Sequence, residues 1–403
     1  MSASLENSGD ITANNRRQQV ISRAPRLLAK LLEGTGVNIG GNDPCDIQVH
    51  DAETYRRVLA RGSLGFGEAY MDGLWDCQQL DSMFTRLHRA GISERVRTLP
   101  RLRLLLSTLA SIAGGWLINY QTPRRAFRIG EQHYDISNEL FKAMLDPTLS
   151  YSCAYWAHAQ NLEQAQRDKL DMICRKLELR PGERLLDIGC GWGGLARHAA
   201  QHFGVEVFGI TVSREQLTLA RERCAGLPVT LELMDYRDLQ GRYDKIASVG
   251  MFEHVGPKNY TAYFDTVRRL LAKDGLMLLH TIGDSATSHS NDPWINKYIF
   301  PSSKLPSAQQ IAEAIEPDLV IRDWHEFGAD YDRTLMAWWT NFNRSWPDLQ
   351  TAACDERFYR MWKYYLHCCA AGFRCGQMQL WQIVLTRRGA RTGYHSIRPW
   401  EPA

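Results

Sequence analysis

Several features are scarce or missing in this 403-residue sequence. No stretch offers the roughly 20 largely apolar residues that a membrane span requires. The one that approaches it, Leu102 to Tyr120, is interrupted by Ser107, Thr108, Ser111, Gly114 and Gly115. The opening MSASLENSGDITANNRRQQ has no apolar run to serve as a secretory signal, so a polar, disordered tail over residues 1–22 is expected. The 10 cysteines show no C-x-x-C spacing, and without an export signal they read as reduced thiols. No zinc pattern appears, and no metal is expected. Net charge is low at +3, while 44% hydrophobic and 23% charged residues are ordinary for a globular protein. The length exceeds that of a usual single domain, so two are expected.

The small net charge conceals an uneven distribution. Phe84 to Arg128 holds nine arginines (86, 89, 95, 97, 101, 103, 124, 125, 128) against one acid, Glu94, a local charge of +8 that leaves −5 for the remainder. Such a block implies an anionic partner. Arginines 97, 101, 103, 124 and 125 flank Leu102 to Tyr120. That stretch suits either a helix buried between domains or a segment on a membrane surface, with arginines at anionic headgroups and Trp116 at the interface. Before it, Arg23 to His88 alternates helical patterns with turns, and Gly62, Gly65, Gly67 and Gly73 are too dense for one long helix. A small helical domain over 23–118 is expected, its tyrosines and tryptophan serving as core.

After Pro181 the pattern becomes α/β. Strand-like runs at Arg184 to Ile188, Glu206 to Thr211, Val229 to Met234, Lys245 to Val249 and Leu276 to Thr281 alternate with helical segments, which implies a parallel sheet. Leu319 to Trp324 and Trp381 to Thr386 would complete seven strands. Inserts at Thr287 to Ile311 and Tyr331 to Met378 are too long for simple loops and are expected to shape a substrate pocket.

The organising stretch is LLDIGCGWGGL, Leu185 to Leu195. A strand ending in Asp187 runs into glycines 189, 191, 193 and 194 before a helical pattern resumes. Such a turn brings backbone close to a ligand, and the helix N-terminus behind it offers unpaired amides. A dinucleotide site or a purely structural turn would use similar glycines. The acid two positions before Gly189 resembles the first motif of class I S-adenosylmethionine methyltransferases. Ligands of open α/β sheets bind outside the carboxyl ends of the strands, which selects Gly189 and Gly191, then Thr211 and Val212, then Asp235, Tyr236 and Arg237. Glu253, in VGMFEHVG, and His280, in LLHTIG, fall at neighbouring strand ends, where a carboxylate and an imidazole suit proton removal or the placing of a base.

HYDISNELF, LDPTLSYSCAYW, LLDIGCGWGGL, GITVSREQ, VGMFEHVG, LLHTIG, IFPSSKLPS and DYDRTLMAWW resemble, in this order, the motifs of cyclopropane-fatty-acyl-phospholipid synthases. The preceding GSLGFGEAYMDGLWDC is similar to the N-terminal domain of the bacterial phospholipid-acting branch. The resemblance implies an α/β fold of class I SAM-dependent methyltransferase type, a Rossmann-like seven-stranded catalytic domain over 119–403 with a small, mostly helical lipid-associating domain before it.

It further implies methylene transfer from S-adenosylmethionine to the cis double bond of an unsaturated phospholipid acyl chain, through a carbocation deprotonated by bound bicarbonate. Carried over by motif, the bicarbonate ligands are Glu253, His280, Tyr331, Cys153 and Ile282. The cofactor residues are Tyr151, Ser152, Gly189, Gly191, Thr211, Val212, Gln216, Tyr236 and Arg237. A carboxylate beside a bare anion would repel it, so Glu253 needs a protonated oxygen facing it, which bicarbonate supplies. Cys153 is read as an amide donor or packing residue, since a thiolate there would be alkylated by the sulfonium. The expected setting is cytoplasmic, peripheral to the inner membrane, with a homodimer as the candidate oligomer and no nucleic acid partner. The alternatives are a related methyltransferase that stops before ring closure, or a lipid- or RNA-binding protein on a dead methyltransferase fold; the intact Gly189 turn and Glu253 oppose the latter.

Overall fold

The computed structural model describes residues 24–97, 138–288, 291–316, 318–351, 354–391 and 393–398. The expected tail, the stretch Leu102 to Tyr120 with Trp116, and arginines 101, 103, 124, 125 and 128 lie outside the described residues. Two units are present. The first joins the described residues up to 97 with Asp292–Ile299 and Trp346–Cys375; the second holds the others. The long inserts of the sequence reading therefore contribute one segment each to the first unit.

The first unit is mostly helical, with Arg26–Leu32, Leu80–Arg89 and Ile92–Arg97 as helices and a two-stranded antiparallel pair, β1 (Gln48–Val49) and β2 (Trp75–Asp76). Its dense glycines break the helical stretch Glu53–Met71: Gly62 takes φ 56° and ψ −130°, which places a kink between two helices. Gly67 answers a packing need, because a Cβ there would lie 2.4 Å from Trp294 Cδ1. The aromatics are core. Trp75 is fully buried, stacks on Phe66 with ring centroids 4.2 Å apart and donates from Nε1 to the Phe66 carbonyl. Helix Glu356–Arg374 brings Tyr364 against Phe66, Tyr70, Phe84 and Trp294 and pairs Arg374 with Asp81 at 2.8 Å.

In the second unit, strict alternation decides the layers. Strands β3 (Arg184–Ile188), β4 (Glu206–Thr211), β5 (Val229–Leu233), β6 (Tyr243–Val249), β7 (Leu271–Asp284), β8 (Leu319–Glu326) and β9 (Met378–Arg387) form a seven-stranded sheet in the order β5-β4-β3-β6-β7-β9-β8. The β3, β4, β5, β6 and β7 neighbours are parallel, and β9 pairs antiparallel with both β7 and β8. Leu186, Ile246, Met277, Leu279 and Ile383 pack on one face with helices Tyr260–Leu270 and Ala308–Ile315. Leu185, Val207, Ala247, Leu278 and Val384 pack on the other with helices Leu162–Lys176 and Gly194–Phe203. The chain order reverses between β3 and β6, and ligands of such sheets lie at that switch point.

Candidate active site

At the carboxyl ends of β3, β4, β5 and β6 lies a cleft, and all nine residues expected to hold the cofactor line it: Tyr151, Ser152, Gly189, Gly191, Thr211, Val212, Gln216, Tyr236 and Arg237. The glycine turn is shaped by need. Gly189 has φ 86°, and a Cβ there would come within 2.9 Å of Met251 Cβ; Gly191 has φ 54° and open space where a side chain would stand. The amides of Gly189 and Cys190 both donate to the Ile210 carbonyl, which ties the turn to β4.

Around the rim, Thr211 donates from Oγ1 to Gln216 Oε1 at 3.0 Å, leaving the Gln216 NH2 as a donor. Asp235 accepts the Arg237 amide at 3.0 Å, and the Arg237 guanidinium lies 4.9 Å from the centroid of the Tyr236 ring. Tyr151 packs between Phe141 and Trp338, at centroid distances of 5.2 and 5.1 Å.

Three charged residues of the cleft are buried, Asp187, Lys169 and Asp235. Asp187 at the end of β3 has an Oδ2 without a hydrogen-bond partner, and burial raises its carboxyl to about 7 against the opposing pull of Lys169. Lys169 donates from Nζ to Ser152 Oγ at 2.9 Å, and burial lowers its ammonium to about 8. Neither Lys169 nor Gln166, which donates to the Ser150 and Ser152 carbonyls, was singled out from the sequence. A signal existed: Gln166, Lys169, Ile173 and Lys176 recur at helical spacing on the buried face of Leu162–Lys176.

Beside the cleft, the turn after β6 carries Glu253, flanked by the cleft-lining residues Met251 and His254. Its Oε1 accepts the Ile282 amide at 2.7 Å, whereas Oε2 is buried without a hydrogen-bond partner. Burial raises this carboxyl to about 7, against the Ile282 amide, which lowers it. On β7, two residues before Ile282 and so on the same face, His280 is 1% exposed. Its Nδ1 meets Gln382 Nε2 at 3.3 Å; with that amide donating, the ring proton sits on Nε2, and Nε2 is a further buried atom here without a partner, as is Gln382 Oε1. Burial holds the imidazole well below its usual 6.5, so it stays neutral. The Gly250 amide donates to the His280 carbonyl at 2.9 Å, tying the end of β6 to β7, which runs on to Asp284.

The geometry thus brings Glu253, His280 and Ile282 together, with the Ile282 amide engaged by Glu253. Cys153 and Tyr331 belong to an adjoining cluster. Thr334, one turn after Tyr331, lies with its Oγ1 4.0 Å from Cys153 Sγ, and Phe327 links the groups, its ring 5.9 Å from His280 and 5.4 Å from Tyr155. Burial raises the Cys153 thiol well above its ordinary value, which keeps it protonated.

A sheet in this order, with a glycine turn and a cleft at its switch point, defines a class I S-adenosylmethionine-dependent methyltransferase. The chain belongs to the cyclopropane synthase family: the family model described as mycolic acid cyclopropane synthetase matches residues 121–383. It is 52% identical over 373 residues to the cyclopropane-fatty-acyl-phospholipid synthase of Escherichia coli K12, covering 93% of this chain and 96% of that protein. Tuberculostearic acid methyltransferase UfaA1 of Mycobacterium tuberculosis is 35% identical, over 91% and 89% of the two chains. Among solved structures, mycolic acid cyclopropane synthase CmaA1 complexed with SAH and CTAB is similar with a TM-score of 0.60 and 31% identity, covering 65% of this chain and 98% of that one.

Proposed function

We propose that the chain is a cyclopropane-fatty-acyl-phospholipid synthase, transferring a methylene from S-adenosylmethionine to the cis double bond of an unsaturated phospholipid acyl chain. When bound, S-adenosylmethionine supplies an electrophilic methyl and bicarbonate supplies a base for the proton that must leave before the ring closes. The residues of this chain bind, orient and exclude water around that event. Tyr151, Ser152, Gly189, Gly191, Thr211, Val212, Gln216, Tyr236 and Arg237 hold the cofactor in the cleft. Glu253 and His280 would hold the bicarbonate together with Tyr331 and the Cys153 backbone, and the Ile282 amide fixes Glu253.

The observation that carries this reading is a pair of buried atoms without partners, Glu253 Oε2 just past the end of β6 and His280 Nε2 on β7, where His280 pairs with the last residue of β6, Val249. Buried polar atoms are rarely left unpaired. Glu253 Oε2 offers an acceptor and neutral His280 Nε2 a donor, which fits bicarbonate, with its hydroxyl and its charged oxygens. A phosphate dianion would bring more charge beside the carboxylate and fits less well.

On this reading the enzyme works at the cytoplasmic face of the inner membrane, and the basic arginine block supplies attraction to anionic phospholipid. Among the described residues no helix is long and apolar enough to cross a bilayer. The similarity to UfaA1, named as a methyltransferase, favours one second reading, methylation without ring closure. Mass spectrometry of lipids from a host expressing the chain separates the readings. A monounsaturated acyl group should gain one CH2 and lose its olefin; lipids left unaltered would refute the proposal, and a methyl-branched product would select the second reading.

A further inference from the structure

The segment Ser150 to Trp156 is a strap of irregular backbone that carries Tyr151 and Ser152 into the cleft and Cys153 beside it. Irregular backbone must find its hydrogen bonds outside the regular elements. This strap finds them on two helices. On one side Gln166 Nε2 donates to the Ser150 and Ser152 carbonyls at 3.2 and 2.9 Å, and Lys169 donates to Ser152 Oγ. On the other side stands the first part of helix Ala329–Leu349, where Thr334 is fully buried.

Thr334 Oγ1 accepts the Ala154 amide at 3.1 Å and Trp156 Nε1–H at 2.9 Å, and donates to the Asp330 carbonyl at 2.8 Å. A hydroxyl has one donor and two acceptor positions, so all are filled. Asp330 adds an acceptor for the Trp156 amide at 2.7 Å. Arg333 donates to the Trp156 carbonyl at 3.2 Å, with its guanidinium 4.5 Å from the centroid of the Trp156 ring. The same helical turn carries Tyr331.

We propose that Thr334 is a positioning residue: its hydroxyl fixes the strap that presents Tyr151 and Ser152 to the cofactor and Cys153 to the base, and holds that strap in register with the helix that carries Tyr331. The proposal deepens the cyclopropane synthase reading and rests on it for the role of Cys153 and Tyr331. The cofactor half stands on the methyltransferase fold alone. Valine has the shape of threonine without the oxygen, so Thr334→Val leaves the Ala154 amide and the Trp156 indole without an acceptor, and the strap must shift to find one. A displacement of about 1 Å can cost on the order of 100-fold in rate.

The test uses the full-length enzyme with Thr334→Val and Thr334→Ser, measured well below their unfolding temperatures. Calorimetric binding of S-adenosylhomocysteine reads the cofactor side without any lipid, and kcat with cis-unsaturated phospholipid vesicles reads the base side. Thr334→Val should weaken S-adenosylhomocysteine binding about tenfold and lower kcat by about tenfold or more, and Thr334→Ser, which keeps the oxygen, should restore both to within about threefold. A Thr334→Val enzyme that melts earlier yet keeps wild-type affinity and kcat would overturn the proposal and make the hydroxyl merely structural. Equal losses in the valine and serine variants would overturn it too. If Thr334→Val does not fold, Trp156→Phe deletes one of the two donors and is read by the same criteria. Wild-type enzyme that binds S-adenosylhomocysteine but forms no ring would instead count against the cyclopropane synthase reading.

Discussion

Replacing Glu253 by glutamine should separate catalysis from stability. In Glu253→Gln the amide oxygen keeps the bond to the Ile282 amide, since the side chain has the same shape and that contact is 2.7 Å long. The NH2 then takes the place of Oε2, and an acceptor of the proposed bicarbonate site becomes a donor. Turnover on unsaturated phospholipid should fall by on the order of 10²–10⁴, the usual range for one group in proton transfer. S-adenosylhomocysteine binding should stay within about threefold, because Glu253 does not line the cofactor cleft.

Stability should move the other way. Burial raises the Glu253 carboxyl from 4.5 to about 7. The charged form therefore costs about 3 kcal/mol in the fold, at roughly 1.4 kcal/mol per unit. The sign follows from the direction of the shift. Below pH 4.5 the acid is protonated whether folded or unfolded and the cost is absent; it grows from there to about pH 7 and is complete above. Glutamine carries no charge, so the variant should be more stable than wild type at pH 8 and no more stable near pH 4.5. Wild-type activity should in turn fall as the pH drops through about 7, as Glu253 takes up a proton. Denaturant unfolding at the two pH values and steady-state turnover measure both effects. Near-normal turnover in Glu253→Gln would refute the placing of the base, and a variant less stable than wild type at pH 8 would refute the burial argument.

Two other perturbations follow from the same geometry and from the charge block. Lys169→Met removes the donor to Ser152 Oγ but keeps an unbranched apolar chain that fills the same space. S-adenosylhomocysteine affinity should drop about tenfold in calorimetry while the enzyme stays folded, and unchanged affinity would remove Lys169 from the cofactor site. Neutralising Arg97, Arg101 and Arg103 together should weaken binding to anionic vesicles by about 1 kcal/mol each, a difference that shrinks as salt rises; unchanged sedimentation with vesicles would return that stretch to a linker.

What could be read from the sequence followed its local signals. Seven strand-like runs appeared because β strands alternate and because the connecting helices repeat with a period of 3.6; six of them lie within observed strands, and the seventh, Val229 to Met234, overruns β5 by one residue. The glycine turn was legible because Gly189 has no substitute at φ 86° against Met251. Lys169 and Thr334 were not legible. A lysine in LEQAQRDKLDMICRK has the look of a solvated charge, and a threonine within DYDRTLMAWW has no distinctive spacing; both acquire their meaning from the strap that lies against them in space. The same holds for Asp292–Ile299 and Trp346–Cys375, which read as inserts of the sheet but pack in the first unit, with Trp294 against Tyr364 at 4.4 Å. Non-local packing of that kind leaves no periodic trace.

The most direct test is a turnover of the purified enzyme with S-adenosylmethionine whose transferred methyl is fully deuterated, using vesicles of a cis-monounsaturated phospholipid. If a base beside Glu253 and His280 removes a proton from the transferred carbon and the ring closes, the product has no olefin and has lost one deuterium from that carbon. An acyl chain that keeps every deuterium in a methyl branch would contradict the account.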